Sequence, residues 1–382
     1  MNKPNVFTRL LDSKYSTPAV LALILIGIDV FAWWLNIRFI EDICTVGTIT
    51  LVMVLGFQLF MGNSGILNWS YAGYIGIGAF ASSILSMTPE LKALQLPVMY
   101  PFLIGLHLPF VLALLSGALI AALVAAVVAW PLMRLTDSVG AITQFALLIV
   151  INVILSQWQE VTNGPRTFTL GGSRITTIWV ALVVAILAII AVFWFRESSL
   201  GLKLRASRDD RYAARSSGIN IIAVRYGGYV ASAFIGGLAG GLYAHYILSI
   251  TASAFYMGEL FVLLTMAVIG GSMSVSGAFF GTILVTLSQQ GLRQLEMLLS
   301  RNGIEASGST EIILGILMIG FLMLMPNGVS GGQELSLASL RRRFSGGKKD
   351  GGQKAADSNA GDAVLGQGPV SIHNDLEPEE MR

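Results

Sequence analysis

Charge is scarce in this 382-residue chain: Asp, Glu, Lys and Arg make up 12% of it, about half of the ~25% usual in soluble domains. There is one cysteine, Cys44. That excludes a disulfide framework and a Cys/His metal set, and Cys44 reads as a small apolar packing residue. No P-loop string and no nucleophile–base set occurs, so this polypeptide is not expected to hydrolyse ATP alone or to be an enzyme. No metal site and no bound cofactor is expected. A net charge of +2 gives no sign of a nucleic-acid partner. No short basic region followed by a cleavable small-residue site opens the chain, so the first apolar run reads as a retained helix.

Hydrophobic residues, by contrast, make up 54% of the sequence, with a mean hydropathy of +0.71. Several runs reach the roughly 20 apolar residues that cross a hydrocarbon core. They are continuous and do not alternate at period two, which excludes a β-barrel. The fold class is therefore all-α, a polytopic membrane helix bundle. About ten crossings fit: 17–37, 43–61, 71–87, 106–133, 138–157, 176–195, 223–246, a short 259–271, 277–297 and 309–326.

Basic residues set the orientation. With the N-terminus inside, 18 of the 24 Lys and Arg fall on the inner side. Merging 259–297 into one crossing would send the Arg-rich tail outside, so the same bias supports the count. Both termini are thus expected in the cytoplasm. Six of the seven tryptophans lie near predicted span ends, as an interfacial ring prefers. The exception is Trp69.

Residues 1–333 read as the transmembrane domain and 334–382 as a disordered cytoplasmic tail, polar, Gly-rich and free of aromatics past residue 344. Arg341, Arg342 and Arg343 precede that tail, placed either to touch anionic lipid or simply to signal topology.

One link between apolar runs is unusually charged: "RESSLGLKLRASRDDRYAARSSGIN", 196–220, within an expected cytoplasmic loop of 196–222. Ser207 followed by Asp210 resembles a capping box, Asp209 and Asp210 suit the positive end of a helix dipole, and Gly218 suits a helix stop. This predicts a helix over 208–217. A helix that short is marginal alone and needs a surface to pack on. Arg208, Arg211 and Arg215 would share one face, with Ala213, Ala214 and Ser217 permitting close approach. Two readings stay open: docking into another protein, or a basic loop that only fixes topology.

These residues resemble the permeases of bacterial ABC importers for branched-chain amino acids, the LivM/LivH type. The family's loop, "G-x-x-x-R-A-x-R-x-[DN]-x-x-A-A-x-x-x-G-I", is matched by Gly201, Arg205, Ala206, Arg208, Asp210, Ala213, Ala214, Gly218 and Ile219. Tyr226, Ala233, Gly237, Ala239, Gly240, Leu242 and Tyr243 match the helix that follows. "GNSGILNWSYAGYIGIGAF" and "ELFVLLTMAVIGGSMSVSGAFFGTIL" are similar to the family's early and late Gly-rich segments. The likeness runs from about residue 43 to 330 and is closer to the LivM half. The chain departs from the pattern at Gly227-Gly228 after Tyr226, at Ser272-Met273, and in its long tail.

The resemblance implies that the loop, with Asp209, Arg211 and Arg215 among its residues, couples to ATPases. It implies two cytoplasmic ABC ATPase subunits carrying ATP and Mg, and a second, homologous LivH-like permease. A periplasmic substrate-binding protein and a place in the bacterial inner membrane complete the set.

Two connections, 61–70 and 269–277, are too short and Gly-rich for ordinary loops. Unwound backbone at membrane depth is tolerated where it is buried in protein or lines a cavity, and paired breaks point to a translocation path. Their polar residues are uncharged: Gln58, Asn63, Ser64, Asn68, Ser70, Ser272, Ser274 and Ser276. Neutral groups suit a pore that hands on a small zwitterion. The alternative is that these are helix-packing residues without substrate contact.

Gly76-x-Gly78-x-x-Ala81 matches a dinucleotide fingerprint only as a string, since no strand precedes it. Gly236/Gly240 and Gly237/Gly241 read as helix-contact pairs. Asp29 is the one carboxylate well inside a span. It is expected to face another subunit or water, with a proton relay as the lesser reading. His107 and His245 read as interfacial. The expected function is thus an ABC importer permease for branched-chain or related amino acids. An ABC permease for urea or short amides and an ion-gradient-driven secondary transporter are the alternatives.

Overall fold

Continuous apolar runs leave the backbone no water to bond, so each closes its hydrogen bonds along its own helix. The computed structural model describes residues 16–301 apart from 97, 98, 136, 172 and 173, and a few single positions between 308 and 328. The long helices are α1 (Ser16–Leu35), α2 (Arg38–Ser64) and α3 (Tyr71–Ser86). After the short α4 (Pro89–Gln95) and α5 (Pro101–Ile104) come α6 (Phe110–Leu132), α7 (Asp137–Gln157) and a single turn, α8 (Gln159–Thr162). Then follow α9 (Ile178–Glu197), α10 (Ser199–Asp209), α11 (Arg211–Ser216), α12 (Ile221–Ile247), α13 (Met257–Gly270) and α14 (Val275–Arg301). Two-residue strands β1 (Phe168–Thr169) and β2 (Ser249–Ile250) pair antiparallel, Phe168 opposite Ile250.

Seven helices among the described residues are long and apolar enough to cross a membrane. Two predicted crossings do not meet that measure. α3 has 16 residues, roughly 24 Å of rise against a core of about 30 Å. α14 is long, but its second half carries Gln289, Gln290, Arg293, Gln294 and Glu296. The tenth predicted span, 309–326, lies largely outside the described residues. So does the whole tail from 334.

Large apolar side chains crowd the outside of the bundle: Val127 and Trp194 are 78% and 74% exposed. Water would penalise such a surface, and hydrocarbon does not. Helices in lipid gain little from burying apolar area against each other, so close approach of small residues has to hold them. α12 is the central element, packed on α2, α3 and α6. A Cβ on Gly237 would strike Ala121, and one on Gly240 would run into the backbone oxygen of Ile75. The glycine pairs are therefore helix contacts, as the sequence predicts. α6 and α9 contribute matching alanines, among them Ala118, Ala121, Ala125, Ala181 and Ala185, all buried.

Candidate functional site

The charged link forms two helices rather than the single one predicted over 208–217. Ser198 caps α10, its hydroxyl accepting from the Gly201 amide at 3.3 Å. A Cβ on Gly201 would meet the carbonyl oxygens of Phe195 and Arg196, so only glycine lets α10 fold back on the end of α9. Ser207 is not a cap. It lies inside α10, fully buried, with its hydroxyl donating to Leu204 O.

The cap is Asp210, whose backbone is extended. Its carboxylate accepts from the amides of Tyr212 and Ala213 at 2.7 and 3.0 Å and starts α11. An acid two to three residues before orphan amides outcompetes a serine whose side chain is needed inside. Gly218 does stop the helix, at φ +78°, with Ile219 N donating back to Ala214 O.

This break separates the three arginines predicted to share a face. Arg211 and Arg215 stand on α11, whereas Arg208 belongs to α10 and turns inward. Ala214 is buried, while Ala206, Ala213, Arg215 and Ser217 are exposed, so the small residues do not form one outward face. Tyr212 is 83% exposed. Arg205 donates to Arg196 O at 3.0 Å and pairs with Glu197 at 3.6 Å.

Arg208 joins the link to the first Gly-rich connection. Its Nη1 donates to Gly62 O at 2.8 Å, and Asp209 holds the other side of the guanidinium. Gly62 O is one of the last carbonyls of α2, which lack a partner within the helix and carry the negative end of its dipole. The stem of Arg208 crosses Gly65, at φ +72°, where a Cβ would come within 2.7 Å of Arg208 Cγ. On its other side Gly62 abuts the second connection, for a Cβ there would collide with Ser272 O. Gln58 ties the same two regions: its amide nitrogen donates to Gly271 O at 3.2 Å and Ser274 O at 2.7 Å. Charged link and both connections therefore meet.

The neutral residues of those connections are mostly buried and form two groups. Gln58, Asn63 and Ser272 line a cavity of about 10 Å³ together with Arg196, just enough for one water. Asn63 and Ser64 bond carbonyls one turn back, and Ser274 accepts from Gly277 N at the start of α14. Ser276 is buried beside it.

The second group is Asn68 and Ser70. Asn68 Oδ1 accepts from Ser70 Oγ at 3.0 Å, and Ser70 Oγ lies 2.5 Å from Tyr229 Oη. Tyr74 Oη is 3.0 Å beyond. Gln58 Oε1 and Asn68 Nδ2 stay buried without a hydrogen-bond partner among the described residues. Tyr229 and Tyr74 were not among the predicted residues. The available signal was that a tyrosine inside an apolar span needs a partner for its hydroxyl. Trp69, the tryptophan away from span ends, packs edge-on against Phe145 and Phe261.

Elsewhere two expectations change. Asp29 is 1% exposed and turns into this chain, facing Thr48, since an apolar lipid face would strand it. His245 is fully buried within hydrogen-bond distance of Ser86 Oγ at 2.7 Å, so it is interior and not interfacial. Also unforeseen is a cluster at the other end of α2. Asp42 accepts from Arg174 at 2.9 Å and from Tyr246 Oη at 2.6 Å.

The family model described as "Branched-chain amino acid transport system / permease component" matches residues 39–322. The chain is 23% identical to the high-affinity branched-chain amino acid transport system permease protein LivM of Escherichia coli K12, over 75% of this chain and 69% of that one. It is 24% identical to a probable branched-chain amino acid transport permease protein LivH of Methanocaldococcus jannaschii, over 76% and 91%. A nucleoside ABC transporter permease protein, NupC of Lactococcus lactis, is 28% identical over 60% of this chain and 74% of its own length. No solved structure matches significantly.

Proposed function

The chain belongs to the permease components of branched-chain amino acid transport systems, and from that membership we propose that it carries branched-chain or related amino acids through the bacterial inner membrane under the drive of partner ATPases. It is an ABC transporter permease subunit with several membrane-spanning helices. In the proposed assembly two cytoplasmic ATPases hold ATP and Mg and dock on α10 and α11. A second, homologous permease completes the pore, and a periplasmic binding protein delivers substrate. Both termini lie in the cytoplasm.

The carrying observation is the bond from Arg208 to Gly62 O. Closure of the ATPases would press on the outward residues of the helix pair, Tyr212, Ala213 and Arg215. Arg208 would pass that displacement to the end of α2, and Gly62 would pass it to Ser272 across a backbone contact without slack. Gln58 and Asn68, each with an unengaged buried polar atom, would offer neutral hydrogen bonds to a passing zwitterion. A tight charged site is left to the binding protein.

Two measurements test this. In a Cys44→Ser background, Tyr212→Cys should cross-link to the ATPase, and a position on the Asp42 side of the bundle should not. Uptake by proteoliposomes holding the full complex should favour leucine, isoleucine and valine over a nucleoside and over urea. Cross-linking from the Asp42 side, or ATP-independent uptake, would sink the coupling scheme. Uptake of nucleoside alone would sink the substrate.

A further inference from the structure

A cavity of about 260 Å³ lies between α1, α2 and α14, apart from the proposed route. Its wall is apolar, with Leu25, Ile28, Leu51 and Phe279 among its residues, and into it face Asp29, Thr48 and Thr286. Among the described residues, no Lys, Arg or His lines it. The carboxylate oxygens of Asp29 meet the Thr48 hydroxyl at 3.3 and 3.4 Å, long for a bond between oxygens. Thr286 is 5% exposed, and its hydroxyl has no partner among the described residues. Thr282, one turn earlier, does what a helical threonine normally does and donates to Ala278 O at 2.8 Å.

Among the described residues the carboxylate thus has no counter-charge and the hydroxyl no partner, and burying either in that state is costly. A single ligand group cures both. An ammonium brings one positive charge and three donors, enough for Asp29 and Thr286 together. An engineered apolar cavity of about 150 Å³ holds benzene, so this larger one admits a branched chain of roughly five to eight carbons. A zwitterionic amino acid is mismatched, because no basic side chain receives its carboxylate.

We infer that this cavity is a binding site for an apolar primary amine, its ammonium on Asp29 and Thr286 and its hydrocarbon against the α1–α2–α14 wall. The ammonium can come from a free alkylamine or from an aminophospholipid headgroup. Trp33 and Trp34 lie four and five residues from Asp29, about 6–8 Å along the helix, within reach of the headgroup zone where tryptophans gather. The inference stands apart from the transport reading and is tested without transport.

Cys44 lines the same cavity and is the sole cysteine, a built-in reporter. The full chain would be placed in nanodiscs of phosphatidylcholine and phosphatidylglycerol. Alkylation by N-ethylmaleimide and the thermal unfolding midpoint would both be followed. 3-Methylbutylamine should slow alkylation at least threefold and raise the midpoint, while 3-methyl-1-butanol and leucine at equal concentration should do neither. Asp29→Asn should abolish the amine's effect, and Thr286→Val should weaken it. Absence of both effects with the amine overturns the site, and equal effects of amine and alcohol overturn the role of Asp29. That contrast holds in the wild-type chain even if Asp29→Asn fails to fold. Exchanging the lipids for phosphatidylethanolamine assigns the source. Slowed alkylation without added amine supports the lipid headgroup, and an unchanged rate supports the free amine.

Discussion

Arg208 and Gly62 are 146 positions apart in the chain, yet the guanidinium of one caps the helix that ends just past the other, at 2.8 Å. A hydrogen bond from a charged donor is worth about 1.5–3 kcal/mol. If it carries displacement, Arg208→Ala should lower ATP-driven uptake by roughly tenfold or more, and Arg208→Lys should retain a larger share through its own ammonium. The complex should still assemble, since Tyr212, Ala213 and Arg215 remain in place. Uptake and co-purification of the ATPase, measured side by side, check this.

Gly62 and Gly218 make a matched pair. Gly62→Ala puts a methyl into Ser272 O, an overpacking that costs about 1–3 kcal/mol. Gly218→Ala meets nothing within 4 Å, but must hold φ +78°, which costs about 1–2 kcal/mol. Gly62→Ala should lower the unfolding midpoint of the whole protein. Gly218→Ala should loosen only 211–220, read as faster amide exchange there.

Asp210→Ala removes the cap of α11 and should cost about 1 kcal/mol. Protease cleavage within 211–217 should quicken. Ser207→Ala should leave cleavage there unchanged, because its hydroxyl bonds only within α10. Equal sensitivity of the two variants would contradict the two-helix geometry.

Lys92, on the short α4, is fully buried and donates to Leu103 O and Leu106 O. Burial disfavours its charged form and lowers its pKa below the ordinary 10.5. The folded chain therefore holds the proton less tightly than the unfolded chain. Its destabilising share is constant below the lowered value and fades as pH rises from there towards 10.5. Unfolding midpoints of the wild type relative to Lys92→Met should accordingly rise with pH across that window and stay level below it.

Apolar runs were legible because their period and length answer to the bilayer alone. The ends of α2, α9 and α12 fell within a few residues of expectation for that reason. The cap of α11 was not legible. Ser207 and Asp210 are both good cap residues, and only the burial of Ser207 inside α10, with its hydroxyl on Leu204 O, decides between them. Likewise the inward turn of Arg208 depends on Gly65, distant in sequence, leaving room for its stem. Tyr229 resembled any aromatic in a span until Ser70 and Tyr74 arrived on either side of its hydroxyl.

At the meeting of charged link and Gly-rich connections, the acceptors are main-chain oxygens: Gly62 O, Gly271 O and Ser274 O. Every residue type carries that oxygen, so the receiving half of the linkage has no genetic address. Single substitutions can delete Arg208 or Gln58, but none can delete what they hold. Pairwise drift between relatives should therefore leave no matched changes across these contacts, and second-site suppressors of Arg208→Ala should arise on donors or on backbone shape, not at the acceptor positions.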